Sequence, residues 1–209
     1  HRDLHSFPTR RSSDLLHHWL QSVAPAHRLQ LETLQPASSD ASFRRYFRVQ
    51  TDKGSLIVMD APPPMENVRP FVNIASLLAG GGVQVPKVLE QDAEQGFLLL
   101  SDLGQTTYLQ AINARPEQAD GLMRDALSAL VTLQQIDGTG VVPAYAAALL
   151  QRELDLFPQW FVQTHHGHAL TDVQSAGLQG IFAALIANNL AQPQVLVHRD
   201  WHRDRKSVV

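Results

Sequence analysis

The sequence predicts an α+β protein built in two lobes, and three observations predict it. Strand-like apolar runs, with one helical stretch among them, dominate the chain before residue 101. Beyond residue 104 nearly every apolar repeat has helical spacing. Between the two regimes lies Ser101-Asp102-Leu103-Gly104, a connector with turn chemistry. The bulk composition agrees. With 209 residues, 44% of them hydrophobic, the chain can bury a core without covalent staples. It has no cysteine, which excludes disulfides and thiolate metal sites and fits a reducing, cytoplasmic setting. A net charge of -3 argues against a nucleic-acid partner. No apolar run approaches the roughly 20 residues that span a bilayer, so a membrane partner is not expected either.

Taken in order, Leu16, Trp19, Leu20 and Val23 share one face of a short helix. Residues 43–49, rich in aromatics, read as a strand. Thr51-Asp52-Lys53-Gly54 supplies a turn into a second strand over residues 56–60, which Pro62-Pro63-Pro64 ends because proline cannot donate to a ladder. Pro70 opens a helix whose apolar face carries Phe71, Ile74, Ala75 and Leu78, and Gly80-Gly81-Gly82 stops it. Residues 83–90 read as a short strand, placed at a sheet edge by Pro86, and residues 97–100 as a compact apolar strand. Three amphipathic helices follow, marked by Leu122, Ala126, Leu130 and Leu133, then by Leu150, Leu154, Phe157 and Phe161, then by Leu178, Ile181, Phe182, Leu185 and Ile186. A last strand, residues 195–197, delivers His198-Arg199-Asp200.

Both ends are expected to be non-native. Thr9-Arg10-Arg11-Ser12-Ser13-Asp14 can be encoded by ACA CGA CGC TCT TCC GAT. The reverse complement of that DNA, extended by the first base of a CTN codon for Leu15 and read in a shifted frame, encodes Asp204-Arg205-Lys206-Ser207-Val208-Val209, the last six residues of the chain. One element resembling a sequencing-library adapter thus accounts for residues 1–15 and 204–209, which are set aside from fold reasoning. His1-Arg2-Asp3 is on this reading a meaningless look-alike of the motif at 198–200.

His-Arg-Asp at a strand end is the strongest chemical signal. Phosphoryl transfer to a hydroxyl needs a carboxylate held at a rigid junction, where it accepts or orients the acceptor proton. Asp200 has that placement, with His198 beside it; the alternative is a surface motif with local ion pairing. Residues 38–48 join a polar turn to a strand bearing arginines. The amides and hydroxyls of Ser39, Ser42 and Phe43, facing Arg45 and Arg48, suit a polyphosphate. The alternative is an edge strand whose arginines are solvated. Ser101, Asp102 and Leu103 form a connector whose backbone could bind adenine, or simply end a buried strand. No metal site is assigned. His198 and His202 have the spacing of a zinc pair but lack the intervening Glu, and His165, His166 and His168 lack a carboxylate framework. The triple glycine has no following Gly-Lys-Ser/Thr and is a helix cap.

The stretches SDASFRRYFRV, LIVMDAPPP, RPFVNIASLLAGGGVQVPKVLEQDAEQGFLLLSDLG, RELDLFPQWF and VLVHRDWHR are spread over most of residues 30–203. Together they resemble the bacterial phosphotransferase family that includes the aminoglycoside kinases. Within it they are similar to the anomeric N-acetylmuramate/N-acetylglucosamine kinases of cell-wall recycling. The resemblance implies a protein-kinase-like fold: an N-lobe of antiparallel sheet plus helix over residues 16–103, and a partial helical C-lobe over 104–203. It implies ATP with magnesium as cofactors, a sugar hydroxyl as acceptor, Asp200 as catalytic base, and residues 101–103 as the nucleotide-binding connector. Two departures stand out. Met59 occupies the region where a kinase-like strand offers a lysine to the phosphates, leaving Arg45 or Arg48 as substitutes and Glu66 as a candidate partner. The position five beyond Asp200, where a catalytic loop places its magnesium-binding Asn, is Arg205. Activity is therefore expected of a longer parent protein rather than of this piece. The competing expectations are an aminoglycoside or other small-molecule hydroxyl kinase, and a non-catalytic kinase-like binding module.

Overall fold

The computed structural model describes residues 10–39 and 42–202. Among them runs one antiparallel sheet in the order β1-β2-β3-β5-β4, made of β1 (Gln30–Ser39), β2 (Arg45–Thr51), β3 (Gly54–Asp60), β4 (Val88–Asp92) and β5 (Phe97–Ser101). The β2–β3 hairpin turns where the sequence places it. There the Thr51 hydroxyl donates to the Gly54 carbonyl at 3.0 Å and accepts from the Lys53 N–H at 3.1 Å. Gly96 closes the β4–β5 hairpin at φ +81°, and an added Cβ would lie 2.0 Å from the Ala61 carbonyl oxygen, so no side chain fits.

Strand alternation divides the core into two layers. Helix α1 (Arg10–His27) lays Leu16, Trp19 and Leu20 on Val49, Val58, Phe97 and Leu99, with Phe47 and Leu56 alongside. The Trp19 and Phe97 rings are tilted against each other at 5.4 Å. On the opposite face, helix α2 (Arg69–Gly80) brings Phe71 and Val72 to Met59, Leu98 and Leu100, with Tyr46 and Ile57 alongside. Both faces of the sheet are thus covered.

Several elements differ from expectation for physical reasons. Helix α1 extends beyond the predicted residues 16–23 and starts at Arg10, inside the stretch set aside as adapter-like. Strand β1 is not predicted at all, because register shifts between Gln30 and Gln35 and between Pro36 and Ser38 break its alternation. Strand β4 does take a sheet edge but starts at Val88, beyond Pro86. Residues 195–197 are not a strand: they have no ladder partner among the described residues, and Val195 and Val197 are exposed.

The helices after the connector are α3 (Tyr108–Ala114), α4 (Ala119–Gln134), α5 (Ala147–Leu156) and α6 (Asp172–Leu190). Thr107 and Gln110 cap α3 reciprocally, as Thr171 and Gln174 cap α6. The predicted helix through Phe161 is α-helical only to Leu156 and continues as a π-helical stretch over Phe157–His165. Pro158 lacks an N–H and crowds the carbonyl four residues back, which favours the wider turn. Among the described residues no helix is long and apolar enough to cross a membrane.

The chain divides into two compact units. One comprises the sheet, α1 to α4 and the segment from His198; the other is Asp137–Val197. The boundary falls after α4, later than the change of pattern at Gly104. Within the second unit Leu150 and Phe182 are buried, while Leu156, Phe157, Trp160, Phe161, Val173, Ile181 and Leu185 are exposed.

Candidate functional site

Alternation along β2 sorts its basic residues. Arg45 has the parity of Phe47 and Val49 and so belongs to the α1 face; Arg48 has the parity of Tyr46 and belongs to the α2 face, while Arg44 immediately precedes the strand. Arg45 faces Asp60 in register, pairs with its carboxylate, and lies 5.8 Å from the Phe47 ring centroid. Asp60 is fully buried, and among the described residues its Oδ1 has no hydrogen-bond partner. Burial pushes the Asp60 carboxyl above the usual carboxylate range, and the Arg45 guanidinium only partly offsets this.

Arg48 does the opposite on the α2 face. Its Nε donates to Asp102 Oδ2 at 2.5 Å and its Nη2 to Oδ1 at 3.1 Å, a fork on both oxygens. The Ser55 hydroxyl donates to Oδ2 at 2.6 Å, and the Gly104 N–H to Oδ1 at 2.9 Å. The Arg48 hydrogen bonds outweigh burial and, with Ser55 and Gly104, hold the Asp102 carboxyl below its usual range. Ser101 is fixed from the other side: its N–H donates to the Lys87 carbonyl at 2.9 Å, and its Oγ accepts from the Lys87 N–H at 2.8 Å. Leu103, half-buried, follows in irregular backbone. The connector is therefore tied to β2, to β3 and to the segment leading into β4.

Ser39 ends β1 opposite Arg45 in register. In the turn before β2, Ser42 Oγ accepts from the Arg44 N–H at 3.2 Å. Glu66, in the segment leading to α2, accepts from the Phe43 N–H at 3.3 Å and from Arg44 Nε at 2.9 Å. Burial works against the Arg44 charge, but hydrogen bonds with Glu66 and Tyr46 outweigh it and raise its pKa. The Phe43 ring is 54% exposed.

His198, Arg199 and Asp200 form a tight turn in the sheet-containing unit. Arg199 has φ +69°, left-handed backbone that a residue with a Cβ rarely adopts. The Asp200 N–H donates to His198 Nδ1 at 3.3 Å, and His202 Nε2 lies 2.8 Å from Asp200 Oδ1. The His198 and Trp201 rings meet edge-on at 5.1 Å. In the other unit, His165 and His166 meet edge-on at 4.8 Å, each beside Phe161. Among the described residues no three His, Asp or Glu side chains gather to hold a metal. Arg205 lies outside the described residues.

The structure brings Arg48 and Asp102 together and puts Arg45 on the other face. Ser55, Arg44 and the specific partner of Glu66 escape the sequence reading. Parity would have separated Arg48 from Arg45; nothing in the sequence joins Ser55 to Asp102.

Residues 33–204 match the phosphotransferase enzyme family. An N-acetylmuramate/N-acetylglucosamine kinase of Pseudomonas aeruginosa is 55% identical over 168 residues, covering 80% of this chain and 49% of that protein. The kinase of the same name from Pseudomonas putida is 53% identical over 81% of this chain and 49% of that protein. The one from Neisseria meningitidis is 41% identical over 89% of this chain and 55% of that protein. The chain thus spans about half the length of the curated relatives it matches. With the match covering most of its residues, the chain belongs to the phosphotransferase enzyme family.

Proposed function

We propose that this chain is the nucleotide-binding portion of an ATP-dependent kinase acting on a sugar hydroxyl, at the anomeric position of N-acetylmuramate or N-acetylglucosamine. The observation that carries the nucleotide reading is the connector at residues 101–104, fixed on both sides by Lys87 and by the Arg48–Asp102–Ser55 cluster. A connector so held presents main-chain N–H and C=O groups at set positions, which suits recognition of a flat base edge. The acceptor reading is supported by the relatives, which are N-acetylmuramate/N-acetylglucosamine kinases by name. We place the protein in the cytoplasm, where ATP is available.

In this reading the backbone of residues 101–103 takes adenine and the turn of Ser39, Ser42 and Phe43 takes the polyphosphate. Asp200 accepts the proton of the acceptor hydroxyl as its oxygen attacks the terminal phosphorus and ADP leaves. His198 Nδ1, accepting from the Asp200 N–H, steadies that turn. Magnesium would accompany ATP and neutralise phosphate charge. Among the described residues no three His, Asp or Glu side chains gather to hold it.

The test is a phosphorylation assay on the gene recovered with its flanking sequence. We expect amino-sugar 1-phosphate from ATP and magnesium, with turnover reduced at least about 100-fold by Asp200→Asn. Phosphate appearing only on aminoglycosides would replace the acceptor. One observation favours a non-catalytic binding module instead: Met59 is fully buried and offers no cation from β3. Nucleotide binding without turnover on any hydroxyl would decide for that reading.

A further inference from the structure

We propose that Arg44 is the side chain that takes the polyphosphate of a bound nucleotide and that Glu66 positions it, an assignment that rests on the nucleotide reading above. Strand β3 carries neither Lys nor Arg, so a cation for the phosphates must come from elsewhere. Arg44, Arg45 and Arg48 lie around the start of β2, and their placement separates them.

Arg45 belongs to the α1 face and is paired with buried Asp60. It lies across the sheet from the face that carries Arg48 and the fixed connector. Arg48 is on that face, but its Nε and Nη2 are engaged with both oxygens of Asp102, which Ser55 and Gly104 also serve. Its role is to hold the connector. Arg44, just before β2, is hydrogen-bonded with Tyr46, which packs on the α2 face, and directly follows Ser42 and Phe43, the turn that suits a polyphosphate.

The chemistry at Arg44 is already that of anion recognition. A main-chain N–H and a guanidinium converge on one carboxylate, with Phe43 N–H on Glu66 Oε1 and Arg44 Nε on Glu66 Oε2. A guanidinium carries five N–H donors in a planar fork. Glu66 on Nε, together with Tyr46, therefore orients the group, and the donors of the fork left over can serve a phosphate oxygen. The Glu66 side chain is only 13% exposed, so it is a fixed partner rather than a solvated one. Arg44 and Glu66 together supply what β3 lacks: a cation near the phosphates and a carboxylate, from the segment before α2, that aims it.

The experiment titrates the chain with MgATP and, separately, with adenosine, which has the base but no phosphate. We expect Arg44→Ala to weaken ATP binding by about tenfold or more while adenosine binding is unchanged, since a hydrogen bond to a charged group contributes on that scale. Arg44→Lys should restore most of the loss. Glu66→Gln should weaken ATP binding by a smaller factor. The double variant Arg45→Gln/Asp60→Asn, which removes that pair together, should leave the ATP-to-adenosine ratio unchanged. An unaltered ratio in Arg44→Ala, or a lost preference for ATP in the Arg45/Asp60 double variant, overturns this assignment alone. Failure of the unaltered chain to bind either compound overturns the nucleotide reading and this assignment with it.

Discussion

Arg45–Asp60 and Arg48–Asp102 are the same chemical pair on the same strand, three residues apart, yet they are built in opposite ways. Asp60 is fully buried, is served by Arg45, and keeps an oxygen with no partner among the described residues; its carboxyl is pushed up. Asp102 accepts four hydrogen bonds among the described residues, two of them from Arg48, and its carboxyl is pulled down. Burial sets the sign where hydrogen bonds are few, and hydrogen bonds set it where they are many. The first pair closes the end of a hairpin on the α1 face. The second ties the connector to both strands of the β2–β3 hairpin, 54 and 47 residues back in sequence.

The largest break in this contrast should come from Asp102→Ala. It leaves Arg48, itself buried, without its carboxylate and strips Ser55 and Gly104 of their acceptor. We expect a loss of about 3 kcal/mol, read from the urea midpoint. Ser55→Ala removes one hydrogen bond to the same carboxylate and should cost about 1–2 kcal/mol by the same measurement. Asp60→Asn should have the smallest effect near neutral pH, within about 1 kcal/mol, because it also removes a desolvated charge with an unpartnered oxygen. If Asp60→Asn proves costlier than Asp102→Ala, the contrast is wrong.

Acid titration of stability sharpens the same contrast. Asp102 is depressed in the folded chain, so its contribution is present above the unfolded value, near about 3.9, and is lost as pH falls through the lower folded value. Asp60 is raised, so the folded chain binds its proton first. Its term therefore favours folding progressively as pH falls through the raised folded value towards the unfolded one. Replacing Asp60 by Asn should abolish that weakly acidic gain, and replacing Asp102 by Asn should remove the loss at lower pH. Urea midpoints measured across pH for both variants check the two signs.

The comparison also explains what could be read in advance. Strands β2, β3 and β5 and helices α2, α4 and α6 carry apolar runs or repeats and form where these place them, although Ile181 and Leu185 of the face expected of α6 are exposed. Strand β1 was hidden because its bulges and Pro36 interrupt the alternation. The strand expected at residues 195–197 had apolar residues but no ladder partner among those described, and a strand is defined by pairing as much as by composition. At the site, Asp102 was visible as part of the connector, but its role depends on Ser55, which is 47 residues away in sequence. Arg45 drew attention by its aromatic neighbours, yet those neighbours are what carry it to the α1 face. The resemblance located the domain, while parity and cross-strand register had to be seen in three dimensions.

On the proposed nucleotide reading, the anchoring of residues 101–104 from both sides has a consequence for the thermodynamics of binding. A loop that orders around its ligand loses conformational freedom at that moment, and affinity falls accordingly. Here Ser101 and Asp102 have already made that loss during folding, through Lys87, Arg48 and Ser55. A base read by this backbone should therefore bind with little entropic penalty from the protein, and loosening the anchor should appear first as a less favourable binding entropy, before any contact to the ligand is lost.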